Sequence, residues 1–486
     1  MDRRGFLAMS LAASGAALAS PSAFAGVGRP GQLRLTVHPD RRGNPIGADF
    51  TGLSYETSQL SDPTFFSPEN TALAGFHRRL GAAGILRIGG NTSEFGVWSP
   101  TGTSVQPTSG AVGPDTGLHP APRRPVTPLA VRNLRGFLDL SGWRLIYGLN
   151  MGSESPETVA DEAAYVASVM GNKLVALQLC NEPDLFHKNG LRPPDYGYPQ
   201  FAAEWRRFFR VLRHRLPNVP VAGPDTAFDN EWLVRFADEQ RHDVMLLTHH
   251  FYAEGPPTDP SMTIERLLGP SPKLAAEFKA FTTAHEDTGL PFRMAETNSC
   301  YSGGKQGVSD TFASALWSAD LMYQLAEVGA AGVNFHGGGY GWYTPIAGTR
   351  ENGFVARPIY YGMLLFAAAG AGRLVMTEMD GAGAAAGPVA AYGLKARDGS
   401  LKIVVLNKSL DADVTLAIDV PGASRASVMR LVAPRPDDTT DVTFAGSVVG
   451  DDGSWTPGIT ENLTAHRGSL TLRMPKASGA LLTLPA

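Results

Sequence analysis

The chain has 486 residues, 43% of them hydrophobic and 18% charged, with a net charge of −4. It is too long for one ordinary compact domain and long enough to bury a large core. The lack of a basic excess argues against a nucleic-acid partner, and the 55 glycines and 36 prolines are spread along the chain, which suits many loops rather than low complexity or a repeat array.

Residues 1–25 read as an export leader. Arg3-Arg4-Gly5-Phe6-Leu7 opens a weakly apolar run to Ala19, and Ala23-Phe24-Ala25 offers a small-x-small cleavage site. The arginine pair points to the twin-arginine route, with an ordinary Sec leader as the alternative. The mature chain is expected to begin near Gly26, in the periplasm or outside the cell. Losing a leader of net +1 takes the charge from −4 to −5. No other stretch reaches the ~18 apolar residues that a membrane span needs.

Within residues 26–46, Leu33–Val37 alternates like a strand and precedes the main domain. From 47 to 370, short apolar runs alternate with amphipathic segments, the pattern of βαβ units. The runs are Phe50–Tyr55, Ile85–Gly89, Leu145–Leu149, Val175–Leu179, Val219–Gly223, Val244–His250, Phe292–Ala295 and Gly332–His336. Helical patterns at Ala72–Leu80, Pro156–Met170, Phe201–Leu216, Thr311–Val328 and Ile359–Ala368 lie between or after them, and Ser155-Pro156 is a good helix start. Eight strand–helix units predict an α/β fold, a closed (β/α)8 barrel. An open doubly wound sheet would want a phosphate-binding glycine turn after its first strand, and Thr57-Ser58-Gln59 is not one. The Gly-, Pro- and Ser/Thr-rich stretch Phe95–Pro125 breaks the rhythm after the second strand, and a loop of that length suits a wall of a substrate pocket. Residues 371–486 turn to short alternating runs, such as Ala391–Lys395, Leu401–Leu406, Val414–Ile418, Ser427–Leu431 and Leu470–Arg473. They predict a C-terminal β-sandwich that packs on the barrel or serves as a carbohydrate-binding module.

Chemistry gathers at the strand ends, where barrels place their active sites. The fourth strand runs into Asn181-Glu182-Pro183-Asp184 and the seventh into Glu296-Thr297-Asn298. Glycosidases use two carboxyl groups about the scissile bond, ~5–5.5 Å apart in retaining enzymes. Glu182 is the candidate acid/base and Glu296 the candidate nucleophile. Asn181 is a candidate ligand of a sugar 2-hydroxyl, Arg87 a candidate support for an ionised nucleophile, and Tyr252 a candidate donor to Glu296. Glu56 and Glu94 follow the first two strands and are weaker candidates, readable equally as hydrogen-bond acceptors. A zinc site is the rival reading of His249-His250, but neighbouring residues of a strand point to opposite faces and make a poor ligand pair. No metal is expected there. The loop Ser299-Cys300-Tyr301-Ser302-Gly303-Gly304 brings hydroxyls and glycines whose backbone N–H groups suit an anion, so it fits a substrate carboxylate. Trp342 and Tyr343 follow the eighth strand as stacking or hydrogen-bonding candidates. Asp115, the one acidic residue of the Phe95–Pro125 stretch, either binds sugar hydroxyls or caps a turn. Cys180 and Cys300 flank the two carboxylates and read as buried thiols, with a disulfide as the alternative in an exported chain.

Five stretches together resemble glycoside hydrolase family 79: Gly52–Glu56, Leu86–Glu94, Asn181–Asp184, Arg293–Tyr301 and Gly332–Gly338. That family contains bacterial β-glucuronidases and, more distantly, heparanases. The resemblance implies a (β/α)8 barrel with a β-sandwich that takes in the N-terminal strand, Glu182 as acid/base, Glu296 as nucleophile and Asn181 as the 2-hydroxyl ligand. It implies that Ser299–Gly304, with Tyr343, receives a glucuronate carboxyl, that Asp115 matches a hydroxyl ligand, and that no cofactor is needed. The excised linker and basic patches of heparanases are not visible here, and a charge of −5 disfavours a polyanionic substrate. The expectation is an exo-acting β-glucuronidase releasing terminal glucuronic acid, free or 4-O-methylated, from a glycan or aryl conjugate. A retaining glycosidase for a neutral sugar, an endo-acting heparanase-like enzyme and a non-catalytic carbohydrate binder are the alternatives.

Overall fold

A computed structural model describes residues 32–102, 123–339, 341–380 and 388–486. The leader, Asp115 and most of the Phe95–Pro125 stretch expected as a pocket wall lie outside the described residues. None of the described helices is long and apolar enough to cross a membrane.

Eight parallel strands close into a barrel: Thr51–Glu56, Ile85–Gly89, Arg144–Gly148, Leu174–Gln178, Val221–Thr226, Leu246–Glu254, Phe292–Cys300 and Val333–Gly337. Closure is made by the eighth strand pairing with the first, Val333 opposite Thr51. The strands are buried on both faces because helices cover the outside. Those helices begin where the sequence offers caps. Ser155 accepts a hydrogen bond from Thr158 N at 3.1 Å ahead of Pro156, and Thr127 and Ser271 act likewise ahead of Pro128 and Pro272. Three strands run well past their apolar patterns. The fifth extends to Thr226, the sixth to Glu254 and the seventh to Cys300, so polar residues there are strand rather than loop.

The C-terminal region forms a ten-stranded sheet. The long N-terminal strand Gln32–Ile46 joins it, antiparallel to Gly372–Asp380 and parallel to Val414–Asp419. Leu35, Val37, Ile403, Val405, Leu416, Val428, Leu472 and Leu482 meet in one apolar core, which makes the sheet a sandwich. The sandwich docks on the barrel helix Phe312–Glu327. Tyr392 stacks on Tyr323 with centroids 4.7 Å apart, and Asp320 accepts from the Tyr392 hydroxyl and Lys408 Nζ, each at 2.6 Å. Helix Phe312–Glu327 is apolar nearly all round because it is covered on both sides.

Candidate active site

Arg87 is the hub of the barrel mouth. It leaves the second strand with no exposure to solvent and points into the barrel. Its Nη1 donates to Glu296 Oε2 at 2.6 Å and to Ser54 Oγ at 3.0 Å. Its Nη2 donates to Asp225 Oδ2 at 2.5 Å and to Asn181 Oδ1 at 2.7 Å, and its Nε to Gln178 Oε1 at 3.0 Å. Five strands thus meet on one guanidinium. Burial works against its charge, but the carboxylates of Asp225 and Glu296 outweigh burial and lock the proton on.

Glu296 is also met by the Tyr252 hydroxyl, which donates to Oε1 at 2.7 Å, and by His336 Nδ1, 3.5 Å from Oε2. Burial alone would favour the neutral acid. His336, His250 and Arg87, with the Tyr252 hydrogen bond, instead hold Glu296 far below the ordinary carboxylate range. This carboxylate is ionised at any ordinary pH.

Glu182 has the opposite environment. Burial pushes its pKa up to about 7, against the pull of His250, whose Nδ1 lies 2.9 Å from Oε1. Its backbone is in the left-handed region at φ +49°, with its N–H bonded to the Asp225 carbonyl at 2.9 Å. A non-glycine residue in that region costs of order 1 kcal/mol, a cost found at functional sites where a side chain must be aimed. Asp225 shares the conformation at φ +64°, and its carboxylate accepts from Gln178 Nε2 at 2.6 Å and lies 3.2 Å from His250 Nε2. Burial disfavours the charged form of His250, but Asp225 and Glu296 raise its pKa to about 10. Side-chain atoms of Glu182, His250 and Glu296 lie within 4.8 Å of one another. Three such groups could hold a cation in other surroundings. Here Arg87 and the protonated His250 already compensate Asp225 and Glu296. His249 faces away, to Thr226 Oγ1 and Glu277.

The two glutamates open on a cavity of about 300 Å³. The first, sixth, seventh and eighth strands and the loops after them supply Glu56, Tyr252, Glu296, Tyr301, Ser302, His336 and Tyr343 to its lining, the loops after the fourth and fifth strands supply Glu182, Leu185, Lys188, Asn189 and Phe228, and Asn91 follows the second strand. Ser302, Gly303 and Gly304 all have positive φ, and no described residue accepts from their N–H groups. Three successive N–H groups on a left-handed turn are a ready donor site for an anion.

Not every candidate reaches the cavity. Asn181 is buried below it, its amide spent on Arg87 and, at 3.2 Å, on Asn91 Oδ1, so in this conformation it steadies the arginine. Ser299 is fully buried with its N–H and hydroxyl turned to Asn298, because the seventh strand continues through it. Gly303 contributes backbone, and its carbonyl accepts from Trp342 N at 2.7 Å. Trp342 is on the rim, 40% exposed and outside the cavity wall. Glu56 accepts from Thr92 N at 2.8 Å and lies 3.4 Å from His336 Nε2. Glu94, which burial raises to about 8, accepts from Asn181 N at 2.7 Å and so props the strand end that carries Glu182. Cys180 and Cys300 are free, buried thiols. Asp225, His336 and Gln178 are site residues that the sequence motifs did not mark out as chemistry. Asp225 and His336 are polar residues at strand ends, the signal that singled out Arg87.

A closed (β/α)8 barrel that holds one neutral and one ionised carboxyl within reach of each other at its strand ends is the architecture of a glycoside hydrolase. Residues 205–323 match the model of glycosyl hydrolase family 79, N-terminal domain. The chain is 24% identical to a β-glucuronidase of Neurospora crassa over 69% of this chain and 66% of that protein. It is 23% identical to a β-glucuronidase of Aspergillus niger over 92% of each. Among solved structures, a 4-O-α-L-rhamnosyl-β-D-glucuronidase from Fusarium oxysporum aligns with a TM-score of 0.75 at 18% identity, over 93% of this chain and all of that one. A family 51 arabinofuranosidase from Xanthomonas axonopodis aligns at 0.69 and 16%, over 93% and all.

Proposed function

We propose that this protein is a retaining β-glucuronidase that releases terminal β-linked glucuronic acid, free or 4-O-methylated, from a glycan or glucuronide conjugate. The observation that carries the reading is the opposed protonation of two carboxyl groups within 4.8 Å of one another, a separation that suits a retaining rather than an inverting enzyme. The ionised Glu296 attacks the anomeric carbon while the bond to the leaving oxygen breaks and Glu182 gives that oxygen its proton. Glu182, now a carboxylate, takes a proton from water, the water oxygen attacks the same carbon, and Glu296 departs. Tyr252 and Arg87 hold the nucleophile in place through both steps.

The uronate preference rests on the N–H groups of Ser302–Gly304 beside Tyr343, on the nucleophile side of the cavity, where a sugar carboxylate finds donors and a neutral sugar leaves them without an anion. The substrates named for the two fungal relatives agree with this reading. The proposed chemistry uses no cofactor, and the leader motif supports export from the cytoplasm.

The test is release of 4-nitrophenol from its β-D-glucuronide, run beside the β-D-glucoside, with Glu296→Gln in parallel. Fast cleavage of the glucuronide alone, lost in the variant, is expected. Preference for the glucoside would retain the glycosidase and overturn the uronate specificity.

A further inference from the structure

Among the described residues, the exposed phenylalanine and tryptophan side chains are Phe228 at 39% and Trp342 at 40%. Both sit on loops at the barrel mouth. Trp342 lies outside the cavity wall, and the Arg357 guanidinium already stands over its ring, 5.7 Å from the centroid. Phe228 lines the cavity itself.

Its position assigns it a side. Phe228 follows the fifth strand, next to the fourth, whose loop carries Glu182 and supplies Leu185 and Asn189 to the same wall. Glu182 gives its proton to the leaving oxygen, so this wall faces the departing group and not the glucuronyl ring. The ring is also held still. Asp184, two residues past Glu182, accepts from the N–H groups of Ala227 at 2.8 Å, Phe228 at 2.9 Å and Asp229 at 3.1 Å. Tyr301 meets Phe228 edge-on at 6.2 Å, and Lys273 Nζ stands 4.7 Å from its centroid while donating to the Tyr252 carbonyl at 2.6 Å. A large apolar ring kept in water by a three-bond backbone clamp, on the wall of a substrate cavity, is a surface awaiting a ligand.

We propose that Phe228 sets the leaving-group preference. It is a stacking platform for an aglycone whose first unit, attached directly to the glycosidic oxygen, is a ring with a flat apolar face: an aryl group or the C–H face of a pyranose. The inference rests on the β-glucuronidase reading. The Asp184 clamp ties the platform to the acid/base loop, so ring binding and protonation of the leaving oxygen share one scaffold.

The experiment compares kcat/KM for phenyl β-D-glucuronide, a β-glucuronyl disaccharide and methyl β-D-glucuronide in the parent enzyme, Phe228→Ala and Phe228→Tyr. Phe228→Ala is expected to lower the ratio of a ring-bearing substrate to the methyl glucuronide about tenfold, the size of a good aromatic contact, and Phe228→Tyr to restore it. The phenyl and disaccharide arms tell an aryl platform from a sugar platform, and a fall in either supports the proposal. An unchanged ratio, or an equal fall on all three substrates, overturns it while leaving β-glucuronidase activity intact. A parent enzyme that cleaves none of the three overturns the activity reading, and this proposal with it.

Discussion

The barrel buries two arginines completely, and they do different work. Arg87, at the catalytic end, is neutralised by carboxylates. Arg293, lower in the barrel wall, meets backbone carbonyls instead: those of Asp49 at 3.1 Å, Phe50 at 3.0 Å, and Ala331 and Val333 at 3.3 Å, with Asn334 Oδ1 at 2.5 Å. Burial lowers the pKa of Arg293 to about 9, whereas the carboxylates raise that of Arg87. Room for Arg293 is made by glycine. A Cβ on Gly332, at φ +155°, would sit 2.0 Å from Nη1, and one on Gly52 would sit 2.6 Å from Nη2. One guanidinium thus fixes the charges that perform chemistry, and the other sews the first, seventh and eighth strands together. A buried cation becomes machinery when its partners are ionisable, and a rivet when they are amides.

The largest effect expected from breaking this comparison is on Arg87. Arg87→Met leaves Asp225 without its main cation and Glu296 without its guanidinium donor, so kcat/KM should fall by about 10²–10³ and stability by about 3–5 kcal/mol, the scale for breaking a buried pair. Steady-state rates and thermal melts read both. Arg293→Met should cost about 3 kcal/mol or more, since several buried acceptors lose their donor, yet the folded fraction should keep the parent kcat/KM. A large loss of specific activity there would show that both arginines serve the chemistry.

A smaller and finer effect is on pH. Glu182 must carry its proton to act as acid, so kcat/KM should decline as pH rises through about 7, while Glu296 stays ionised and adds no acid limb in the ordinary range. His250 pulls the Glu182 pKa down, so His250→Asn should move the alkaline limb upward. A limb that stays put in this variant would detach His250 from the acid.

Much of this was legible in the sequence because it is written in periodicity. The eight strands announced themselves as apolar runs spaced by amphipathic helices, and Glu182 and Glu296 stood where those runs stop. The family motifs, however, do not separate roles. Gly52, Arg293, Gly332 and Asn334 belong to the rivet, while Glu182, Arg87 and Glu296 belong to the chemistry, and both sets fall within the five stretches that carry the resemblance. Asp225 was hidden because the fifth apolar run stops at Gly223, yet the strand continues through Asp225 and a left-handed backbone turns its carboxylate to Arg87. Asn181 and Ser299 were misplaced for a related reason: which way a strand-end polar group points depends on partners from other strands. The strand Gly372–Asp380 went unnoticed because its solvent-facing residues blur the alternation, and its pairing with the distant N-terminal strand defines it.

The most direct test of the account is to incubate the enzyme with a 2-deoxy-2-fluoro-β-D-glucuronyl fluoride and locate the label by peptide mass spectrometry. A stable glucuronyl ester on Glu296, absent in Glu296→Gln, is the result predicted for an ionised nucleophile held by Arg87 and Tyr252. A label on Glu182, or turnover without any adduct and with inverted product, would contradict the assignment of the two carboxylates.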